Sequence, residues 1–164
     1  MQEKLIGKLL EYIRENNPDI LFALEAKDKL RSWLYEKVNS VESLLLKLQA
    51  SKQPEYIIEE TCINEMIQEL RPSRYNYILN LLEEEFINDF NLLVESGLLQ
   101  HEVINMVGYA NSTFDDLRFS EENEDNRFLR YAILGCISEY LKSNSAKENV
   151  SNGLQQSAKT QRQY

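Results

Sequence analysis

Residues Tyr75–Glu95, YNYILNLLEEEFINDFNLLVE, decide the fold class of this chain. Tyr75, Leu79, Leu82, Phe86, Phe90 and Leu93 recur at spacings of four and three, which puts them on one face of an α-helix. Ile78, Leu81, Ile87, Leu92 and Val94 widen that stripe beyond what a surface helix carries. The pattern therefore predicts a central helix over about residues 74–95, covered by neighbours on several sides. Ser73, after Arg71-Pro72, is placed to cap its start, and Gly97 to end it as a left-handed residue.

Outward from this stretch every apolar pattern has a helical period. A first helix is expected over about Lys4–Glu15, ended by Asn16-Asn17-Pro18, with Asn17 capping the next. Ile20, Leu24, Lys27, Arg31, Leu34, Val38, Val41, Leu45 and Leu48 then alternate spacings of four and three. That repeat predicts one long helix, or two hinged near Asn39-Ser40. A third helix runs from about Pro54 to Leu70, with Ile58, Cys62, Met66 and Leu70 inward and Glu55, Glu59, Glu60, Glu65 and Glu69 largely outward. Leu99, Val103 and Val107 define a short helix closing near Gly108, followed by a polar loop over Asn111–Asp125 anchored by Phe114, Leu117 and Phe119. Ser120 is expected to cap a last helix that reaches about Lys142 and buries Phe128, Leu129, Ala132, Ile133, Cys136, Ile137, Tyr140 and Leu141. Gly135 within it is either tolerated or marks a close helix approach. The expected fold is all-α, five to six antiparallel helices around the central one, in a single domain over residues 1–142. Residues 143–164 are expected to form a disordered polar tail.

Composition narrows the function. With 164 residues, 43% apolar and 27% charged, the chain is long enough for one globular domain without metal or disulfide staples. No apolar run approaches the roughly 20 residues of a membrane span, and the N-terminus is charged, which points to the cytoplasm. Cys62 and Cys136 form no motif and are expected to be reduced core thiols. Residues 1–52 hold nine basic and eight acidic side chains, whereas residues 53–142 hold six basic and eighteen acidic ones. Such a charge disfavours direct nucleic-acid or membrane binding and suits a basic protein partner.

Three stretches carry a family resemblance. LLEYIRENNPDI (Leu9–Ile20), SRYNYILNLLEEEF (Ser73–Phe86) and FDDLRFSEENEDNRFLRYAILGCISEYL (Phe114–Leu141) are similar to motifs of the family known as domain of unknown function 1896. These are small helical proteins of Bacteroidetes that often travel with mobile elements. The similarity lies in the asparagine-proline turn, in the serine-basic-tyrosine helix start with its Glu85-Phe86 pair, and in the terminal helix with Gly135. Glu83-Glu84 stand where the family pattern has an aromatic. The resemblance implies a helical fold and carries no activity with it.

Glu83, Glu84, Glu85 and Asp89 are the candidate site, a partner-binding acidic cluster. The main reading is a non-catalytic interaction, regulatory or accessory module with an acidic face, free to form homo-oligomers. One variant is an acidic decoy that competes with nucleic acid for a protein. The alternative is a metal-dependent enzyme using helical carboxylates, like the all-α nucleotide pyrophosphatases. Glu85 with Asp89 and Glu65 with Glu69 share helix faces at a spacing of four, whereas those enzymes space their acids by three. The only histidine, His101, sits in no zinc or di-iron motif, and the five glycines form no phosphate loop. No catalytic residue, metal ligand or cofactor is assigned. The arginines Arg71, Arg74, Arg127 and Arg130 are expected to pair with nearby carboxylates, and most tyrosines to pack in the core.

Overall fold

The structure, a computed structural model, describes the backbone of residues 1–161 and the side chains of residues 1–145. Among these residues the chain is all-α with no strand. Nine α-helices form where five or six were expected: α1 (Gln2–Asn16), α2 (Pro18–Ala26), α3 (Leu30–Ser40), α4 (Glu42–Ala50), α5 (Glu55–Ile67), α6 (Arg74–Glu85), α7 (Ile87–Ser96), α8 (Leu99–Asp116) and α9 (Arg127–Gln161). A single 3₁₀ turn, Gln68–Leu70, follows α5. No helix among the described residues is long and apolar enough to cross a membrane.

The extra helices come from breaks inside continuous apolar patterns. The long repeat from Ile20 to Leu48 is cut at Lys27–Lys29, where Asp28 takes a positive φ of 53°, and again at Val41. The second cut lies beside the expected hinge at Asn39-Ser40. Leu34, Val38, Val41 and Leu45 are all buried nonetheless, so the repeat records a shared buried side and not one continuous rod.

The central helix expected over residues 74–95 is likewise two helices. Phe86, at φ −131° and ψ 51°, ends α6 and begins α7. Its N–H still donates to Leu82 (3.0 Å) and its carbonyl accepts from Phe90 (2.9 Å), so the corner leaves no orphan backbone group there. Three consecutive glutamates in the last turn of α6 oppose the negative end of that helix's dipole and repel one another, which favours stopping there. The two outer caps form as expected. Ser73 caps α6 by accepting from the Asn76 N–H (3.0 Å), and Gly97 ends α7 at φ 73°.

Packing forms two apolar cores rather than one around a central helix. Leu5, Leu9 and Ile13 of α1 meet Leu34, Val38, Ile58, Cys62 and Met66 in the first. The second is built on Val103, Met106, Val107, Ala110 and Phe114 of α8, against α6 and α9. Phe114 is fully buried, with its ring 5.8 Å from Tyr77 and 4.8 Å from Phe119. Thus α8 takes the central place expected of residues 74–95. It also runs eight residues past Gly108, absorbing the first part of the loop expected at Asn111–Asp125. Gly108 costs about 1 kcal/mol as an interior helical glycine, which the buried stripe on either side outweighs.

The remaining turn is held by Asn123, whose side chain donates to the carbonyls of Leu117 (3.0 Å) and Arg118 (3.1 Å). Asn126, not Ser120, caps α9, accepting from Phe128 N–H (2.9 Å) and Leu129 N–H (3.2 Å). Leu129, Ile133 and Ile137 are buried as expected, but Phe128, at the exposed start of α9, is 78% exposed. Of the expected loop anchors, Phe119 packs on the core while Leu117 stays exposed. Gly135 has open space around it, so it marks no close approach. The helix passes Lys142, and Asn144 donates to Glu102 (3.3 Å), so the tail expected at 143–164 starts inside α9. From residue 146 its side chains lie outside the described residues, and residues 162–164 do so entirely.

Phe114→Ala is expected to cost about 3–5 kcal/mol, as a large-to-small change in a closed core. Phe86→Ala should cost less, because Phe86 is half-buried at a helix junction. Urea unfolding of the two variants checks the order.

Candidate functional site

Glu83, Glu84 and Glu85 form the last turn of α6 and are exposed, while Asp89 sits half-buried in the first turn of α7. The turn at Phe86 therefore puts Glu85 and Asp89 on different helices, and the shared face expected of them is absent. Glu65 and Glu69 are separated in the same way, Glu65 in α5 and Glu69 in the 3₁₀ turn. Glu69 is held instead by Lys37 (2.6 Å), whose hydrogen bond lowers its pKa. Among the described residues no three His, Cys, Asp or Glu side chains converge as metal ligands. His101 is exposed at the start of α8, beside Asn105 (3.3 Å). Cys62 is a free buried thiol, and Cys136 is free and half-buried.

The α6–α7 corner is tied to α9 by one cation. Arg130 Nη2 donates to Glu84 (3.1 Å) and Glu85 (2.8 Å), and these hydrogen bonds raise its pKa. Each such exposed pair contributes up to about 1 kcal/mol. The other arginines behave similarly: Arg71 pairs with Glu121 (3.4 Å), and Arg74 with Asp115 (2.6 Å) and Asn111 (2.9 Å). Arg127 has no ion pair among the described residues. Glu83 and Asp89 also have none among the described residues; Glu83 is exposed, and Asp89 sits half-buried in the first turn of α7. Behind the corner lies a polar cleft of about 440 Å³. Asn76, Asn80 and Glu84, at successive four-residue steps of α6, line it together with Glu124, Asp125 and Arg130.

The α7 helix adds apolar surface to this acid. None of its residues is buried, although Phe90 and Leu93 lean on the second core. Ile87 and Val94, seven residues apart on one flank, are 50% and 51% exposed, and Leu92 on the other is 64% exposed. Residues 83–95 carry five acidic side chains and no basic one.

The most perturbed carboxylate was expected on the surface. Glu59, assigned outward, is 4% exposed, between Lys4 and Lys8 (2.5 Å) of α1. Hydrogen bonds from Lys4 and then Lys8 outweigh its desolvation and hold its pKa at about 2. Lys4 also reaches Glu55 (2.8 Å). The signal was available in Glu59 preceding the inward Cys62 by three residues, the spacing of helix neighbours on one side. Lysines four apart on α1 supply the matching charges.

Comparison with protein-family models, curated proteins and solved structures finds no match for this chain.

Because the folded pKa of Glu59 lies below its ordinary 4.5, its contribution is present above pH 4.5 and fades as pH falls through about 2. Glu59→Gln should therefore flatten the acid limb of stability in that window while lowering stability at neutral pH. Urea midpoints measured from pH 7 to 2 test this.

Proposed function

We propose that this chain is a non-catalytic interaction or accessory module whose acidic α6–α7 corner receives a basic amphipathic segment of a partner protein. The observation that carries the reading is the coincidence, over residues 83–95, of uncompensated acid with exposed apolar flanks on a helix that buries nothing of its own. Uncompensated negative charge attracts a lysine- or arginine-rich segment and speeds its encounter. The exposed Ile87, Leu92 and Val94 offer apolar area that such a segment can cover. One variant, suggested by the resemblance to the domain of unknown function 1896 family and its association with mobile elements, is that the acidic face acts as a decoy for a nucleic-acid-binding protein. The competing metal-enzyme reading needs Glu85 and Asp89 on one helix face, and the corner at Phe86 separates them.

Glu83→Gln/Asp89→Asn is the cleanest test, because it leaves the Arg130 pairs intact. Association with a fluorescent lysine-leucine amphipathic peptide should slow by roughly threefold to tenfold at low salt, with a flatter salt dependence. Ile87→Ser/Val94→Ser should instead speed dissociation. Stopped-flow kinetics separates the two effects. Unchanged binding in both variants would remove the corner from the function. A loss of Mg²⁺ or Mn²⁺ binding on titration of the first variant would favour the enzyme.

A further inference from the structure

The last helix outruns the helix it packs on. α9 has 35 residues, whereas α8 has 18. Tyr109 of α8 donates to Glu139 (3.0 Å), and Glu102 accepts from Tyr140 and Asn144, so the two helices run antiparallel. Because α8 begins at Leu99, three residues before Glu102, it accompanies α9 only to about residue 147. The backbone of α9 continues to Gln161. This extension of roughly fourteen residues is about 21 Å of helix.

The extension and the α6–α7 corner are opposite in charge. Residues 149–164 hold Lys159 and Arg162 and no acidic residue, in a chain that has 27 of them. Val150 and Leu154, four apart in the same stretch, supply apolar area. At the corner, Glu83 and Asp89 have no ion pair among the described residues, and Ile87, Leu92 and Val94 of α7 are exposed. The ten residues of α7 cover about 15 Å, so one extension is long enough to lie along it. A chain does not reach its own corner with this segment. Arg130, near the start of α9, is bonded to Glu84 and Glu85, and the helix leads away from them over the roughly 31 residues to Gln161, about 46 Å.

We propose, resting on the reading of the corner given above, that its partner is a second copy of this chain, whose α9 extension lies along α7. Two copies with antiparallel α9 helices then exchange extensions, a closed and self-complementary arrangement. The helix from Arg130 to Asn144 is as long as the extension. With residue 147 of one copy level with Asn144 of the other, Gln161 comes level with Arg130, and so with the acidic corner. Lys159 and Arg162 meet Glu83 and Asp89 there, while Val150 and Leu154 cover the exposed flank of α7. A basic segment of another protein would answer the corner alone.

The experiment is sedimentation of the full chain over a range of concentrations at low and high salt. A monomer–dimer equilibrium that weakens with salt is expected. Lys159→Glu/Arg162→Glu and Glu83→Lys/Asp89→Asn should each weaken self-association about tenfold or more, since each contact occurs twice in the pair. Unchanged melting temperatures show that both variants fold. Mixed in equal amounts, the two variants should pair about as tightly as wild type, because the acidic tail of one faces the altered corner of the other and the remaining two surfaces are native. A chain that stays monomeric, variants that associate as wild type does, or a mixture that fails to pair would each overturn the proposal. A monomeric chain that still binds the lysine-leucine peptide through Glu83 and Asp89 removes the second copy and leaves the corner reading standing; loss of both removes both.

Discussion

Burial of one stripe of α8 is the constraint on which the second half of the molecule depends. Val103, Met106, Val107, Ala110 and Phe114 are each at most 2% exposed, so α8 is covered along most of its length. Its packing partners are α2, α6, α7 and α9. Each of these helices is too short or too polar to hold its place alone, since isolated helices under about 12–15 residues are marginal in water. The clearest case is α7, ten residues with none buried, held by Phe86, Phe90 and Leu93 against a core that α8 provides. Its exposed flanks follow from that one-sided support. The acidic corner is therefore a consequence of how little of α7 the α8 core can cover.

Polar contacts also join the two halves, beside the packing of α2 on α8. Asn16, at the end of α1, accepts from the Ser73 hydroxyl through its carbonyl and from the Asn76 amide through its side chain (3.1 Å). Asn17 next to it is only 2% exposed, and donates weakly to the Leu70 carbonyl (3.5 Å) while its Oδ1 has no partner. Burial likewise raises the pKa of Asp19, against the pull of neighbouring N–H groups and Arg74. A seam with under-satisfied buried oxygens is the weakest place in a packed molecule, because each such group carries a desolvation cost without full compensation.

Period and capping residues made the helical class legible, and what escaped was continuity. Ser73 and Gly97 announced their roles because a cap is a local interaction between neighbours in sequence. The breaks at Phe86 and Val41 have no proline or glycine to mark them. They arise where flanking contacts reward a change of direction while the apolar spacing runs on. Gly108 misled in the opposite sense, since a glycine tolerated inside a buried helix looks like a terminus. Of the candidate-site acids, Glu83, Glu84 and Glu85 lie on the surface and Asp89 is half-buried; Arg130, which holds two of them, lies 45 residues away from Glu85 and could be paired with it only in three dimensions. Glu59 runs against the tendency of charges to point outward, and its spacing of three from the inward Cys62 is the local sign of that.

Charge and burial together explain why the acidic half of the chain folds at all. Eighteen acidic against six basic residues over positions 53–142 would repel one another if crowded. The structure instead pairs several of these carboxylates: Lys4 and Lys8 with the buried Glu59, Arg130 with Glu84 and Glu85, and the Tyr140 hydroxyl (2.5 Å) with the half-buried Glu102. Lys4 and Lys8 come from the nearly neutral first third, so the N-terminal helix neutralises charge that its neighbour α5 could not bury unaided. Arg130 does the same for α6. What is left over at the α6–α7 corner, Glu83 and Asp89 above all, is paired with no cation among the described residues. Excess charge that folding cannot pair is pushed to where water or a partner can answer it, and in this chain that place is also where apolar surface remains uncovered.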